Sequence, residues 1–196
     1  MNFFKKKELF YVLSFLSFAL MLSLGFSSQA QAATVKGFNF KPGDILITKS
    51  TSSDGIAGHS AIVDQTGSNI IHIAGYGHTP ARHPVDWFLN NYKATKVVRY
   101  KSATLAKKAG TYAYNNYYKG PYKNHGYGLA PNPKDTTKLY CSEIVWQSYY
   151  YGAGVTFYGL ANKPIKKVIP SHIMPYDYIG QYEKMNGYST VKSFNW

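Results

Sequence analysis

The chain of 196 residues contains one cysteine, Cys141. A lone thiol cannot close an internal disulfide, so Cys141 is either a small core residue or a nucleophile. Acidic residues are scarce as well, nine against 22 lysines and arginines, for a formal charge of +13. Asp44 and Glu143 stand isolated, so a hydrolase built on two carboxylates has no support. Long apolar runs are absent after Phe26, and no later segment is expected to span a membrane. Internal repeats, low-complexity linkers and groove-reading motifs for nucleic acid are also missing.

The amino terminus is what remains apolar. Lys5, Lys6 and Lys7 precede an apolar stretch from Leu9 to Phe26, and Ser28-Gln29-Ala30-Gln31-Ala32 supplies small residues at cleavage-site spacing. Residues 1–32 therefore read as a secretory signal peptide cut after Ala32, with a retained membrane anchor as the alternative. Residues 33–196 then form a single domain, secreted or cell-wall associated, with a charge of about +11 once the leader is removed. Its basic residues are scattered, from Lys93, Lys96 and Arg99 to Lys166 and Lys167. Such a charge draws a protein to anionic material, wall polymers or lipid head groups, without naming either one or specifying a nucleic acid.

Local patterns describe an α+β domain. Gly43 to Thr48, His59 to Asp64, Ile70 to Ala74 and Ala94 to Tyr100 read as strands, and Val85 to Leu89 as a short helix after Pro84. Thr104 to Tyr118 reads as a helix, and Gly120 to Lys134 as a surface loop. A further helix is expected from about Thr136 or Thr137 to Tyr151, with Asp135, Thr136 and Thr137 as competent caps and Cys141 in its first turn. The tail after Pro164 reads as irregular.

Three of these residues could carry chemistry. A thiol near a helix start and an imidazole is favoured as thiolate, which suits Cys141 to attack a carbonyl. His59, at the start of an apolar strand after Gly58, is the candidate general base. In an antiparallel hairpin with a Gln65–Ser68 loop, Asp64 pairs with Asn69. Ala61 then lies opposite His72, so His59 and His72 share one face as diagonal neighbours. In that register His72 can orient the His59 ring. Two histidines could also begin a metal site, but no third ligand falls at suitable spacing, so neither metal nor other cofactor is expected. His78, His83, His125 and His172 read as solvated loop residues.

With these residues in view, the chain resembles the circularly permuted papain-like amidases, the permuted branch of the NlpC-like cysteine hydrolases. The landmarks are Gly43-Asp44-Ile45-Leu46, Gly58-His59-Ser60-Ala61-Ile62, Ile71-His72-Ile73-Ala74 and Tyr140-Cys141-Ser142-Glu143-Ile144-Val145. Gly120-Pro121-Tyr122 and Pro170-Ser171-His172-Ile173 resemble the family's flanking segments. The resemblance implies a papain-like fold, with an antiparallel sheet packed against the helix that bears the cysteine. It further implies Cys141 as nucleophile, His59 as base and His72 as third residue, with Tyr122 and Tyr140 at the substrate. His72 stands where the amidases commonly carry glutamate, and histidine is typical of the lecithin:retinol acyltransferase-like branch. The leading expectation is an exported cysteine hydrolase that cleaves an amide, in cell-wall peptide, through a thioacyl intermediate. The alternatives are acyl-lipid ester hydrolysis or acyl transfer by the same pair, and a non-catalytic basic wall-binding module.

Overall fold

The computed structural model describes residues 34–51, 57–160 and 165–196, which fall in one compact unit. The expected signal peptide, residues 1–32, lies outside them. Ten strands are present: β1 (Thr34–Val35), β2 (Phe38–Asn39), β3 (Ile45–Thr48), β4 (His59–Val63), β5 (Asn69–His72), β6 (Ala81–Pro84), β7 (Thr95–Tyr100), β8 (Tyr158–Leu160), β9 (Ile165–Lys167) and β10 (Tyr188–Phe194). Among the described residues four α-helices accompany them: α1 (Val85–Asn91), α2 (Ala103–Ala113), α3 (Cys141–Gln147) and α4 (Gln181–Met185). Six strands form one antiparallel sheet in the order β10-β7-β3-β4-β5-β6, and the pairs β1-β2 and β8-β9 stand apart from it.

The central strands, Ile-Leu-Ile-Thr and His-Ser-Ala-Ile-Val, are buried at every position because both faces of the sheet are covered. Alternate side chains point to opposite faces. Ile45, Ile47, Ile62, Ile71 and Val98 pack with Ala106, Ala109 and Ala113 of α2 and with Ile144, Val145 and Trp146 of α3. Leu46, Ala61, Val63, Ile70 and Val97 pack on Val85, Phe88 and Leu89 of α1 and on Phe40. The expected α+β class, a sheet packed against the cysteine-bearing helix, is present.

Helix α2 lies so close to the sheet that a Cβ on Gly110 would sit 2.6 Å from the Val63 carbonyl oxygen. Gly43, at φ +81°, would bring a Cβ within 2.2 Å of the Ala106 carbonyl oxygen. Two ion pairs tie loops to the strands: Arg99 grips Asp44 through two nitrogens at 2.7 Å each, and Arg82 reaches Asp64 at 2.7 Å. Asp44 is therefore paired rather than isolated.

Three expectations change. The helix over Thr104 to Tyr118 is α-helical only to Ala113 and continues as a π-helical turn over Tyr114–Tyr118. The cysteine helix starts at Cys141 itself, because Leu139 is held in a bridge with Tyr127 and cannot be helical; Asp135 instead closes a turn by accepting the Thr137 N–H at 2.8 Å. The tail is not irregular: β10 completes an edge of the sheet by pairing with β7, a contact between segments about ninety residues apart that no local pattern announces.

Candidate active site

The β4-β5 hairpin places the histidines. Asp64 donates its N–H to Asn69 at 2.8 Å and also closes an Asx turn by accepting the Thr66 N–H. Ile62 faces Ile71 and Val63 faces Ile70, the register expected from the loop length. His59 and His72 accordingly share a face, and His59 Nε2 lies 2.9 Å from His72 Nδ1. One ring donates and the other accepts, so the pair is well bonded only while at least one imidazole is neutral. Phe88 and Tyr92 cover the His59 ring at centroid distances of 5.9 and 5.2 Å, and Trp87 and His83 flank His72. Burial in this aromatic wall pushes the His59 pKa down to about 4. His72 is pushed to about 3, by burial first and then by repulsion from its neighbouring imidazoles. Both rings are neutral at neutral pH.

The approach to His59 is shaped by Gly58, at φ +64°; a Cβ there would meet the Tyr176 ring at 2.8 Å. Glycine is needed both for the backbone conformation and for the close passage of that ring.

Cys141 is the first residue of α3 and only 7% exposed. Burial raises its thiol pKa, while the backbone and hydroxyl groups of Ser60 and Ser142 pull it down. The resting site therefore pairs a protonated thiol with neutral imidazoles. The position of the thiol follows from a gap in the sheet. The β4-β5 ladder consists of Ile62↔Ile71 and Val63↔Ile70, and toward His59 the two strands separate. Val63 donates its N–H to Asp44 on the β3 side, so by alternation the Ser60 N–H turns toward the opened β5 side, where it meets the thiol. Among the described contacts His59 bonds to His72 rather than to Cys141. Ser60, which follows His59 in β4, is the strand residue that acts on the thiol, and Tyr92 lies against the His59 ring, its phenol pKa raised by burial first and then by Cys141. Tyr127 senses the thiol in the same way.

The remaining expected residues divide. Tyr140 sits next to Cys141, and its hydroxyl accepts the Ile173 N–H at 3.1 Å. Ser142 donates to the Ile173 carbonyl at 2.6 Å, so Ile173 clamps the start of α3. Tyr122 stacks against Tyr117 and His125 in a tyrosine cluster that includes Tyr112. Tyr92, which sequence reasoning missed, packs on the His59 ring. His83 is not a loop residue: it lies in β6 and stacks on Trp87 at 3.9 Å. Glu143 is fully buried, accepts the Tyr140 N–H at 3.2 Å through one oxygen, and leaves the other without a partner. Burial raises its pKa to about 9, so it is a neutral acid at pH 7. Among the described residues no three His, Cys, Asp or Glu side chains converge as a metal site.

Comparison with known proteins follows from this geometry. The fold is that of the crystal structure of metalloprotein yiiX from Escherichia coli O157:H7, at a TM-score of 0.57 and 17% identity, covering 80% of this chain and 98% of that one. An uncharacterised 30.3 kDa protein of Bacillus thuringiensis is 32% identical over 170 residues, 81% of this chain. The match spans 59% of that relative's length. The family profile described as "Lipoprotein N-acylation protein LnsA-like" matches residues 4–183. These findings correct the assignment to the NlpC-like amidases. The landmarks behind that assignment, a glycine before a strand histidine and a cysteine opening a helix, are short and local, so they do not separate families that share a fold. The chain belongs to the lipoprotein N-acylation protein LnsA-like family.

Proposed function

We propose that this protein transfers an acyl group from a lipid ester to an amine through a thioester on Cys141. The carrying observation is the hydrogen-bonded His59–His72 pair in a chain that has a single, buried thiol and whose family is named for lipoprotein N-acylation. His59, its Nε2 committed to His72, has Nδ1 left for the thiol proton. In the first step sulfur attacks the ester carbonyl, the thiol proton passes to His59 and then to the departing alkoxide, and a thioester remains. In the second step an amine nitrogen attacks the thioester, its proton returns through His59 to sulfur, and an amide is released. With water in place of the amine, the same sequence is hydrolysis.

The site's environment supports a lipid donor. Phe88, Tyr92 and Trp87 pack an aromatic wall against the two imidazoles, and beside such a wall attack by water competes poorly with attack by a bound amine. The chain's positive charge suits an anionic lipid head group. Export, as expected from residues 1–32, would bring the enzyme to such lipids. Cell-wall peptide, the leading substrate expectation from the sequence, gains no support from the family, whereas the acyl-lipid alternative does.

The test is single-turnover incubation with a diacylated phospholipid, followed by intact-mass measurement. The wild type gains one acyl mass on Cys141, and an added lipopeptide amine discharges it as an amide. Cys141→Ser gains no thioester, and His59→Ala acylates roughly 10²–10⁴-fold more slowly. A wild-type protein that takes up no acyl mass, or loses none of its rate in His59→Ala, would overturn the reading.

A further inference from the structure

Ser60 is a second group on sulfur that the two-step scheme leaves without a role. It is completely buried in the middle of the sheet, and its hydroxyl makes no hydrogen bond of full geometry in the resting site, although it acts on the neighbouring thiol. A buried hydroxyl without a partner is destabilising, and an alanine would fill the same place in the strand without that cost. Its neighbours are informative. On the β3 side Ser60 is paired with Ile47, and on the β5 side the ladder has already opened. Helix α3 packs against β4 there, with Cys141 at its first position. The Ser60 side chain shares the sheet face of Ile62 and Ile47, the face covered by α3, whereas His59 shares the face of Ala61, covered by α1. Ser60 therefore approaches the thiol from the opposite side of the strand to the base.

We propose that the Ser60 hydroxyl is a donor for the Cys141 thiolate, unpaired while sulfur is protonated and bonded to it once His59 has taken the proton. A neutral thiol is a weak acceptor and a thiolate a strong one. An interaction made only with the charged form stabilises the reacting species without stabilising the resting one. The burial that raises the thiol's pKa makes such a donor necessary, because the thiolate forms where water cannot solvate it. The Ser60 N–H, turned into the same gap, supplies a second donor that a side-chain substitution does not remove. When the sulfur becomes acylated its charge is lost, and the hydroxyl is released again.

This inference rests on Cys141 acting as a nucleophile, but its test needs no substrate. The rate of Cys141 alkylation by iodoacetamide is followed against pH in wild type and Ser60→Ala. The expected result is an inflection moved to higher pH in the variant and a rate near neutrality lower by on the order of tenfold, with thermal stability unchanged or increased. Ser60→Thr, which retains the hydroxyl, returns the inflection toward the wild-type value. A Ser60→Ala curve superimposed on that of the wild type, in a folded protein, overturns the proposal, whatever the change in melting temperature. If Ser60→Ala does not fold, Ser60→Gly carries the same comparison. A shifted inflection in a protein with no acyl uptake would sink the acyl-transfer reading and leave the role of Ser60 standing.

Discussion

Glu143 shows how much of this site is set by single side chains in unusual protonation states. The folded chain holds it as a neutral acid up to about pH 9, whereas the unfolded chain ionises it near 4.5. Between those values the folded state binds more protons than the unfolded state, so its contribution to stability falls as pH rises. Glu143→Gln keeps an acceptor for the Tyr140 N–H and removes the titration. The variant is expected to melt higher than wild type at pH 8, with the difference shrinking toward pH 5; melts across this range check it, and a constant difference would refute the buried-acid account. The side chain still matters locally, because its carboxyl holds Tyr140, the residue that precedes Cys141.

At the level of elements, the decisive features are two close approaches and one opening. Helix α2 meets the ends of β3 and β4 at backbone contact distance through Gly43 and Gly110. That contact leaves the face between α2 and the β4-β5 gap for α3. Gly110 has an ordinary helical backbone, so its replacement by alanine tests space alone, free of backbone strain. A Cβ at 2.6 Å from the Val63 oxygen forces the helix away from the sheet, and overpacking of this kind costs about 1–3 kcal/mol. Gly110→Ala is therefore expected to lower stability in urea melts, although alanine favours a helix over glycine by about 1 kcal/mol. A stabilised Gly110→Ala would show that α2 can retreat freely.

At the scale of the whole molecule, the two histidines make the fold sensitive to acid. His59 and His72 have folded pKa values of about 4 and about 3, below the ordinary 6.5. As pH falls below about 6.5 the unfolded chain takes up protons that the folded chain refuses. Stability from these groups is whole above about 6.5 and is lost progressively down to their folded values, with His59 alone accounting for about 3 kcal/mol. Glu143 and Asp44, both raised by burial, act in the opposite direction over part of this window. The acid slope is therefore expected to be steeper in Glu143→Gln than in wild type. Histidine ring signals in proton NMR give the direct check: His59 and His72 should show no titration between pH 8 and 5. A ring that titrates near 6.5 would mean that the aromatic wall admits water.

What could be read in the sequence was what depends on near neighbours. Apolar runs, the Asx-type turn after Asp64 and the loop length placed β3, β4, β5 and β7 and set the register that puts His59 and His72 on one face. The lone cysteine, the strand histidines and the α+β class were legible for the same reason. Other features needed partners distant in the chain. Leu139 cannot be helical because Tyr127 holds it, so α3 begins at Cys141 rather than at Thr136. The strand β10 exists because β7 has a free edge, and Tyr92 packs on the His59 ring because α1 brings it there. The landmark motifs fitted the fold but pointed to the wrong family, since a few short local motifs can recur in families that share a fold while substrate choice rests on the surrounding walls. The sequence by itself determined which residues could do chemistry and on which face two of them lie. Only the tertiary structure decided that the β4-β5 ladder ends short of Ser60 on a sheet whose face α3 covers, because strand pairing and helix packing depend on partners distant in the chain.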